Sequence, residues 1–271
     1  MRPAEMLPAQ RRRRFRRRVT LVCTAMCVWS SAIAAEPQPT LRVAAGLWEP
    51  YVDSALPESG VAVDIPRQVL ARAGYRTRVS LDDRRRTFEG ARVGIYDAVA
   101  ATWPMLETRA EFVLSDEYLV NTLVVIKRRG SPYRFEKISD LEGTIIGTVA
   151  GHTYGNQFDG AIGLIRVPAN HLIQNLQRLV DGYVDVVVGD KWAIRYDINR
   201  YMRSAAPKLE MLAIPLETRT LHLAVHRSHP QAARIVADFN AALAAMRADG
   251  SRQAVLDRHV EYLRPIAEFP L

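Results

Sequence analysis

The segment Gly182–Asp190 reads GYVDVVVGD, and an earlier segment, Gly94–Thr102, reads GIYDAVAAT. Both contain a glycine, an aspartate three residues later, an apolar run, and a polar residue five places after the aspartate. Apolar residues on both faces of a strand are typical of parallel sheets covered by helices. Two copies of one segment predict two lobes built on the same plan, although Gly-x-x-Asp before an apolar run is also a common helix-to-strand connection.

Alternating strands and helices extend outward from these segments and predict an α/β fold with parallel sheets. The predicted strands are Leu41–Ala45, Thr77–Leu81, Ala98–Ala101, Leu119–Lys127, Thr144–Val149, Val184–Val188 and Leu221–Val225. The first predicted helix is capped by Asp64 and ends at Gly74. The other predicted helices are Asn170–Val180, Trp192–Tyr201 and Pro230–Ala248.

The N-terminus has the three parts of a secretory signal. An arginine-rich segment at residues 11–18 is followed by the apolar run Val19–Trp29 and by Ala32-Ile33-Ala34, which fits a small-x-small cleavage site. Residues 1–34 are therefore predicted to be a signal peptide, cleaved near Ala34, that directs export to the periplasm. The apolar run is shorter than the roughly 20 residues that span a bilayer, which disfavours a membrane anchor. The arginine run leaves the export route, general secretory or twin-arginine, open.

The positive charge of the sequence belongs to this leader. Of the 37 Lys and Arg residues, eight lie in residues 1–34 together with one of the 29 acidic residues, so the formal charge of +8 falls to +1 without the leader. Nucleic-acid binding needs a cationic face, which a balanced body does not supply. Cys23 and Cys27 also lie in the leader, so the mature protein is predicted to have no disulfide and no thiol chemistry.

Ligands of open parallel sheets bind beyond the carboxyl ends of the strands. The residues predicted there include an aromatic ring, hydroxyls, a cation, a flexible turn and an anion: Trp48, Thr102, Arg109, Gly151, Thr153 and Asp190. This set suits a small zwitterion, with Arg109 and the turn at Thr153 on its carboxylate and Asp190 on its ammonium group. Each residue also has a plainer interpretation: Trp48 in the core, Arg109 on the solvated surface, and Asp190 as a helix cap.

The sequence gives no positive sign of a metal site or of catalysis. His222 and His226 would lie about 13 Å apart on a strand, too far to share one ion. The motifs HExxH, CxxC, GxSxG and GxxxxGK[ST] do not occur. Neither a metal nor a cofactor is therefore expected.

The order and spacing of several segments resemble the bacterial extracellular solute-binding proteins of family 3, the periplasmic receptors of polar amino-acid ABC transporters. The segments span about Thr40–Tyr262 and are LRVAAGLWEPY, VAVDIPRQVL, GIYDAVAA, ETRAEFVLSDEYL, ISDLEGTIIGTVAGHTYGN, GYVDVVVGD and HPQAARIVADFNAALAAMRADG. The resemblance implies a type II periplasmic binding protein fold, in which two α/β lobes joined by two strands close on a ligand. With the crossings at Leu119–Lys127 and Ile214–Leu221, lobe 1 is predicted at 40–125 plus 220–271 and lobe 2 at 126–219.

The family's ligand positions fall on the same six residues. The resemblance implies that Arg109 clamps the ligand α-carboxylate, that Thr153 assists it beside Gly151, and that Asp190 receives the amino group. Its remaining positions, an aromatic ring that stacks on the ligand and a hydroxyl, fall on Trp48 and Thr102.

The sequence also departs from the family pattern. Trp103, Pro104 and Leu106 stand where further Ser or Thr residues are usual, and Gly46 replaces an acid often found in receptors for basic amino acids. A basic amino acid is therefore not expected, and the ligand is apolar, aromatic or not an amino acid at all. Trp103 either lines the site or packs at the hinge.

Three functions remain open. The first is a monomeric, non-enzymatic binding protein that delivers a small amino acid or related carboxylate to an inner-membrane ABC permease. The second is an enzyme on the same scaffold, similar to periplasmic cyclohexadienyl dehydratases, because a fold does not fix a function. The third is a sensory or accessory receptor that presents its ligand to another partner.

Overall fold

The computed structural model describes residues 38–267 of the chain. The predicted signal peptide, its cleavage site and both cysteines lie outside the described residues. Over residues 38–267, no helix combines the length and the apolar character needed to cross a membrane.

The chain forms ten strands and eight α-helices in the described part. The elements before the first crossing are β1 Thr40–Gly46, α1 Val61–Arg72, β2 Arg76–Asp82, α2 Arg84–Arg92, β3 Ala98–Thr102, α3 Leu106–Glu111 and β4 Phe112–Leu114. The middle elements are β5 Leu119–Arg128, β6 Ile145–Val149, α4 Asn156–Asp159, β7 Ile165–Ala169, α5 Leu172–Asp181, β8 Val186–Asp190, α6 Lys191–Tyr201 and β9 Leu209–Met211. The last elements are β10 Glu217–His226, α7 Ala232–Ala248 and α8 Ser251–Ala267.

Two parallel groups of strands lie at the ends of one continuous path, β2-β1-β3-β10-β5-β8-β6-β7. In the first lobe β1 pairs in parallel with β2 and β3, and in the second lobe β6 pairs in parallel with β7 and β8. The predicted parallel α/β architecture is therefore confirmed. The repeated segments of the sequence form β3 and β8, one central strand in each lobe.

The two lobes are joined by β5 and β10, which run antiparallel to each other. Glu217–Leu221 of β10 pairs with Leu119–Leu123 of β5. Beyond this ribbon, β5 continues along β8 into the second lobe, and β10 continues along β3 and β4 into the first. The residue bounds predicted for the lobes remain a prediction.

Each lobe is stabilised by buried apolar side chains on both sides of its sheet. In the second lobe the neighbouring residues Val187 and Val188 belong to two different clusters, one packed on α5 and α6 and the other around Phe158. Successive strand residues point to opposite faces, so an unbroken apolar run indicates a sheet covered on both sides. In the first lobe, Phe239 of α7 packs into the same core as β1 and α1.

The first helix differs from its prediction. The sequence predicts Asp64 as its cap, but α1 begins at Val61 after Gly60, whose positive φ of 95° only glycine adopts without strain. Asp64 is fully buried, where its carboxylate lies 3.0 Å from Nε2 of His259 and accepts hydrogen bonds from Arg67 and Gln68. Burial raises the pKa of Asp64, but these partners outweigh it and lower the value to about 2. The side chain therefore fixes α8 against α1 and does not cap a helix.

Candidate functional site

A cavity of about 1080 Å³ lies between the two lobes. Its walls include Trp48, Arg84 and Trp103 from the first lobe and His152 and Asp190 from the second. Small-molecule sites are typically clefts of about 300–1000 Å³, so the volume is ample for a metabolite and surrounding water.

An aromatic wall begins directly after β1. Trp48 stacks on Tyr51 with ring centres 4.2 Å apart and meets Trp103 edge-on at 5.5 Å. The main chains of Trp48 and Val52 exchange two hydrogen bonds of 2.8 and 2.9 Å, which fix the turn that presents the Trp48 ring. Trp103 is almost fully buried, and its indole Nε1 donates to Oδ1 of Asn121 at 3.0 Å. Trp48 therefore lies on the cavity wall, and Trp103 both lines the cavity and contacts the crossing strand β5.

A cationic wall is formed at the start of α2, which Asp83 caps by accepting from the backbone N–H of Arg85 at 2.9 Å. The guanidinium of Arg84 lies 5.6 Å from the ring centre of Phe88 and 5.7 Å from that of Trp103. Burial lowers the pKa of Arg84, and the nearby charge of Arg219 lowers it further. The cavity wall thus holds a cation that its own protein surroundings disfavour.

The turn after β6 contributes the opposite wall. Gly151 has a positive φ of 73°, and nothing lies within 4 Å of where its Cβ would be, so its backbone is open to the cavity. The ring of His152 meets Trp103 edge-on at 6.4 Å. Burial among the cavity walls and the charge of Arg84 lower the pKa of His152 to about 4, so its imidazole is neutral at pH 7. A neutral imidazole offers one N–H donor and one acceptor.

Asp190 lies at the carboxyl end of β8 and caps α6. Its Oδ1 accepts from the backbone N–H groups of Trp192 and Ala193 at 2.9 and 3.0 Å. Its Oδ2 accepts from the Tyr51 hydroxyl and from Nδ2 of Asn121, both at 3.1 Å. Burial raises the pKa of Asp190 to about 6, even though all four hydrogen bonds lower it. A carboxylate accepts about four hydrogen bonds, so these four donors occupy the oxygens that an ammonium group would need.

Two further carboxylates face the same cavity. Asp197 of α6 and Glu49 both line it. Burial and the negative charge of Glu49 raise the pKa of Asp197 to about 7. Burial also raises the pKa of Glu49, with a further contribution from Asp53. The Asp197 carboxyl is therefore partly protonated near neutral pH.

The other three predicted residues do not line the cavity. Arg109 is exposed on α3, where its Nε donates to the Pro104 carbonyl at 3.1 Å. Thr102 is buried and its hydroxyl donates to the carbonyl of Val99. The Thr153 hydroxyl lies 2.9 Å from Sδ of Met105 and accepts from Arg219 at 3.1 Å. The structure thus brings Trp48, Gly151 and Asp190 together around the cavity and directs Thr102, Arg109 and Thr153 to other partners.

Several residues of this region were not predicted as site residues: Glu49, Tyr51, Arg84, Asn121 and Asp197; His152 was indicated only as part of the turn at Gly151–Thr153. Arg84 directly follows Asp82 and Asp83 at the carboxyl end of β2, so the strand-end rule applied to β2 would have found it. His152 stands inside the turn that the sequence already indicated. Asn121 and Asp197 lie within a strand and a helix, where residue type alone gives no signal of a site.

No group of three or more His, Cys, Asp or Glu residues within 38–267 is arranged to hold a metal ion. The histidines considered at the sequence level have other contacts: His222 lies 2.6 Å from the Ser115 carbonyl, and His226 lies 2.7 Å from the Ser228 hydroxyl.

Several solved structures share this fold. The GluR0 ligand-binding core from Nostoc punctiforme in complex with L-glutamate aligns with a TM-score of 0.65 at 20% identity, covering 80% of this chain and 98% of that one. An ancestral arginine-binding protein bound to glutamine aligns with a TM-score of 0.66 at 19% identity, covering 82% of this chain and 98% of that one. Holo ArgBP from T. maritima aligns with a TM-score of 0.62 at 19% identity, covering 77% of this chain and 90% of that one. No curated protein has a sequence that matches this chain.

Two α/β lobes, two connecting strands and a cavity between the lobes define the type II periplasmic binding protein fold. The chain belongs to the bacterial extracellular solute-binding proteins, family 3, whose sequence profile matches residues 47–262.

Proposed function

We propose that this protein is a periplasmic receptor that captures an amino acid or a related small carboxylate between its lobes. The observation that carries the proposal is the cavity, because both lobes line it and its walls combine aromatic rings, arginine side chains and carboxylates. Ligand sites of this kind place a few polar groups on a mostly apolar wall. The similar structures that hold glutamate and glutamine support a ligand of this size.

In this proposal Trp48 forms an apolar wall, and the backbone at Gly151 offers hydrogen bonds from the second lobe. Asp190 links the two lobes, because Tyr51 of the first lobe and Trp192 of the second both donate to it. The receptor acts as an exported monomer and delivers its ligand to an inner-membrane ABC permease.

The experiment is a thermal-shift and calorimetry screen of the protein from residue 35 onward. The probes are the twenty L-amino acids, succinate and phenylacetate. Ligand at about a hundred times its dissociation constant stabilises the native state by about 2.7 kcal/mol, which is a shift of several degrees for a domain of this size. X-ray scattering of the complex should show a smaller radius of gyration than the free protein. Unchanged dimensions at saturation would contradict closure of the lobes, and turnover of prephenate or arogenate would favour an enzyme.

A further inference from the structure

We propose that Arg84, at the carboxyl end of β2, binds the carboxylate of the ligand in this protein, and that the ligand is anionic at this end of the cavity. This inference rests on the proposed function, since it names the residue and the ligand chemistry of the same cavity.

Arg84 differs from the other arginines of the cavity wall in its lack of an acidic partner among the described residues. Arg85 lies 3.7 Å from Glu89, and Arg92 lies 2.5 Å from Glu111. Across residues 38–267, no carboxylate oxygen lies within 4 Å of the Arg84 guanidinium. A guanidinium partly withdrawn from water is unfavourable unless it is paired, and the rings of Phe88 and Trp103 compensate only in part. An anion that enters the cavity would supply the missing partner.

Close packing between the end of β1 and the start of α2 fixes the position of the Arg84 backbone. Gly46, at the end of β1, has no side chain, and a Cβ there would lie only 3.1 Å from both Cα and Cβ of Arg84. Any larger residue at position 46 would push the start of α2 away from β1. Glycine therefore allows the close approach of α2, and it places no charge of its own beside the guanidinium.

A recess beside Arg84 has the size of a small anionic group. It has a volume of about 60 Å³, and its walls include Arg84, Trp103, His152 and residues 99–101 of β3. A water molecule needs about 10–15 Å³ of such volume, so a group of a few atoms such as a carboxylate fits. Neutral His152 can donate one N–H to the same anion without adding a competing charge.

The positive potential at this recess also has a second source. The Arg219 guanidinium lies 4.6 Å from the Trp103 ring centre, and its charge is strong enough at Arg84 to lower the pKa of that residue. Glu217 lies 3.4 Å from Nε of Arg219 and balances it in part. A cationic ligand group in the recess would meet repulsion from both arginines, so Lys-like and Arg-like side chains are excluded from this end of the cavity.

Arg109 is not placed to bind this carboxylate, because its guanidinium is exposed and donates to Pro104 outside the cavity wall. The two arginines therefore give opposite predictions. If Arg84 binds the carboxylate, Arg84→Met weakens binding strongly and Arg109→Met does not.

The test measures binding by calorimetry at pH 7.5 for wild type, Arg84→Met, Arg84→Lys and Arg109→Met. The probes are L-glutamate, L-glutamine, L-arginine, succinate and phenylacetate. The matched control is Arg86→Met, because Arg86 lies on the same helix, is 68% exposed and pairs with Asp82 outside the recess. We expect an anionic probe to bind wild type, to lose roughly thirtyfold or more in affinity in Arg84→Met, and to recover in part in Arg84→Lys. The affinities of Arg86→Met and Arg109→Met for the same probe should stay within about threefold of the wild-type affinity.

The unliganded variants give an independent readout. Methionine keeps the apolar stem and removes the disfavoured charge, so Arg84→Met should melt a few degrees above wild type without ligand. That result also shows that lost binding is not lost folding. Wild-type affinity in Arg84→Met, or loss of binding in Arg109→Met alone, would overturn the assignment of Arg84 while the proposed function stands. If wild type binds no probe of the larger screen, the proposed function fails and this assignment fails with it.

Discussion

Asp97 and Asp185 make the same pair of hydrogen bonds in the two lobes. Asp97 donates its backbone N–H to the Arg42 carbonyl at 2.8 Å, and its carboxylate accepts the Arg42 backbone N–H at 2.7 Å. Asp185 donates to the Ile145 carbonyl at 2.8 Å and accepts the Ile145 N–H at 2.9 Å. Each aspartate therefore fixes the register of a central strand, β3 or β8, against its parallel neighbour.

Replacing Asp97 should destabilise the first lobe in a pH-dependent way. Burial raises the pKa of Asp97, but the hydrogen bonds and charge of Arg42 outweigh it and leave the value below 3.8. A lowered folded pKa stabilises the protein above the unfolded pKa, and this stability is lost as the pH falls through the folded pKa. Asp97→Asn should cost about 1–3 kcal/mol at pH 7 and less at a pH well below 3.8. Urea unfolding at both pH values measures this, with exposed Asp181→Asn as the control; an equal loss at both would contradict it.

Replacing Asp197 should stabilise the protein, whereas replacing Asp97 destabilises it. Its folded pKa of about 7 lies above its ordinary 3.8, so between these values the folded protein keeps a proton that the unfolded chain has released. The free energy of unfolding therefore falls as the pH rises toward 7. Above pH 7 Asp197 is ionised in the folded protein, and its destabilising effect is complete. Asp197→Asn should stabilise the free protein by about 1–3 kcal/mol at pH 8 and by almost nothing at pH 3.5.

Melting temperatures from pH 3.5 to 8.5 measure this effect. Glu49→Gln is the informative companion, because it removes the negative charge that helps to raise the pKa of Asp197. In that variant the fall in stability should move to lower pH. Parallel pH curves for wild type and Asp197→Asn would show that Asp197 titrates normally in the folded protein.

Asn121 links Trp103 to Asp190, since its Oδ1 accepts from the indole and its Nδ2 donates to the carboxylate. Asn121→Leu should cost about 2–5 kcal/mol, because two buried polar partners lose a hydrogen bond at once. Trp103→Phe removes the indole donor together with part of the ring and its packing. A double-mutant cycle of the two should give a coupling free energy above about 0.5 kcal/mol, as for residues in one network. Strictly additive losses would show that the Trp103–Asn121 bond contributes nothing.

The two glycines that flank α1 should differ sharply in their tolerance of alanine. A Cβ at Gly60 would lie 2.3 Å from the Tyr51 carbonyl oxygen, whereas a Cβ at Gly74 would meet nothing within 4 Å. Both residues have positive φ, 95° and 88°, so alanine is strained in the backbone at either position. Gly74→Ala should cost about 1–2 kcal/mol, and Gly60→Ala about 3 kcal/mol or more, since the turn that carries Tyr51 must also move. Equal losses in thermal unfolding would contradict this.

The strand-end rule explains which parts of the site could be predicted. Trp48, Gly151 and Asp190 each follow a strand whose apolar run is plain in the sequence, and each lies at the cavity. Arg84 also follows a strand, but α2 was not predicted because three consecutive arginines, at residues 84–86, hide its short apolar side. Arg84 was therefore passed over, although the strand-end rule applied to β2 alone indicates it.

The direction of a side chain is harder to predict than its position. Arg109 lies on α3, only a few residues from Trp103 and Met105 of the cavity wall, yet its Nε donates to the Pro104 carbonyl and the residue does not line the cavity. For Asp190, the sequence allowed both a ligand contact and a helix cap, and only the three-dimensional structure shows the second pair of donors, Tyr51 and Asn121. These partners are distant in the chain, so no local pattern reports them.

The path of the chain through the two lobes has a consequence for its biogenesis. The core of the first lobe needs Leu223 of β10 and Ile235 and Phe239 of α7, which follow the whole second lobe in sequence. The core of the second lobe draws on one continuous stretch from Leu123 to Leu216. As the chain emerges from a ribosome or a translocation channel, the second lobe can therefore close its core first. Until α7 has emerged, β1 and α1 of the first lobe lack the apolar side chains that complete their core.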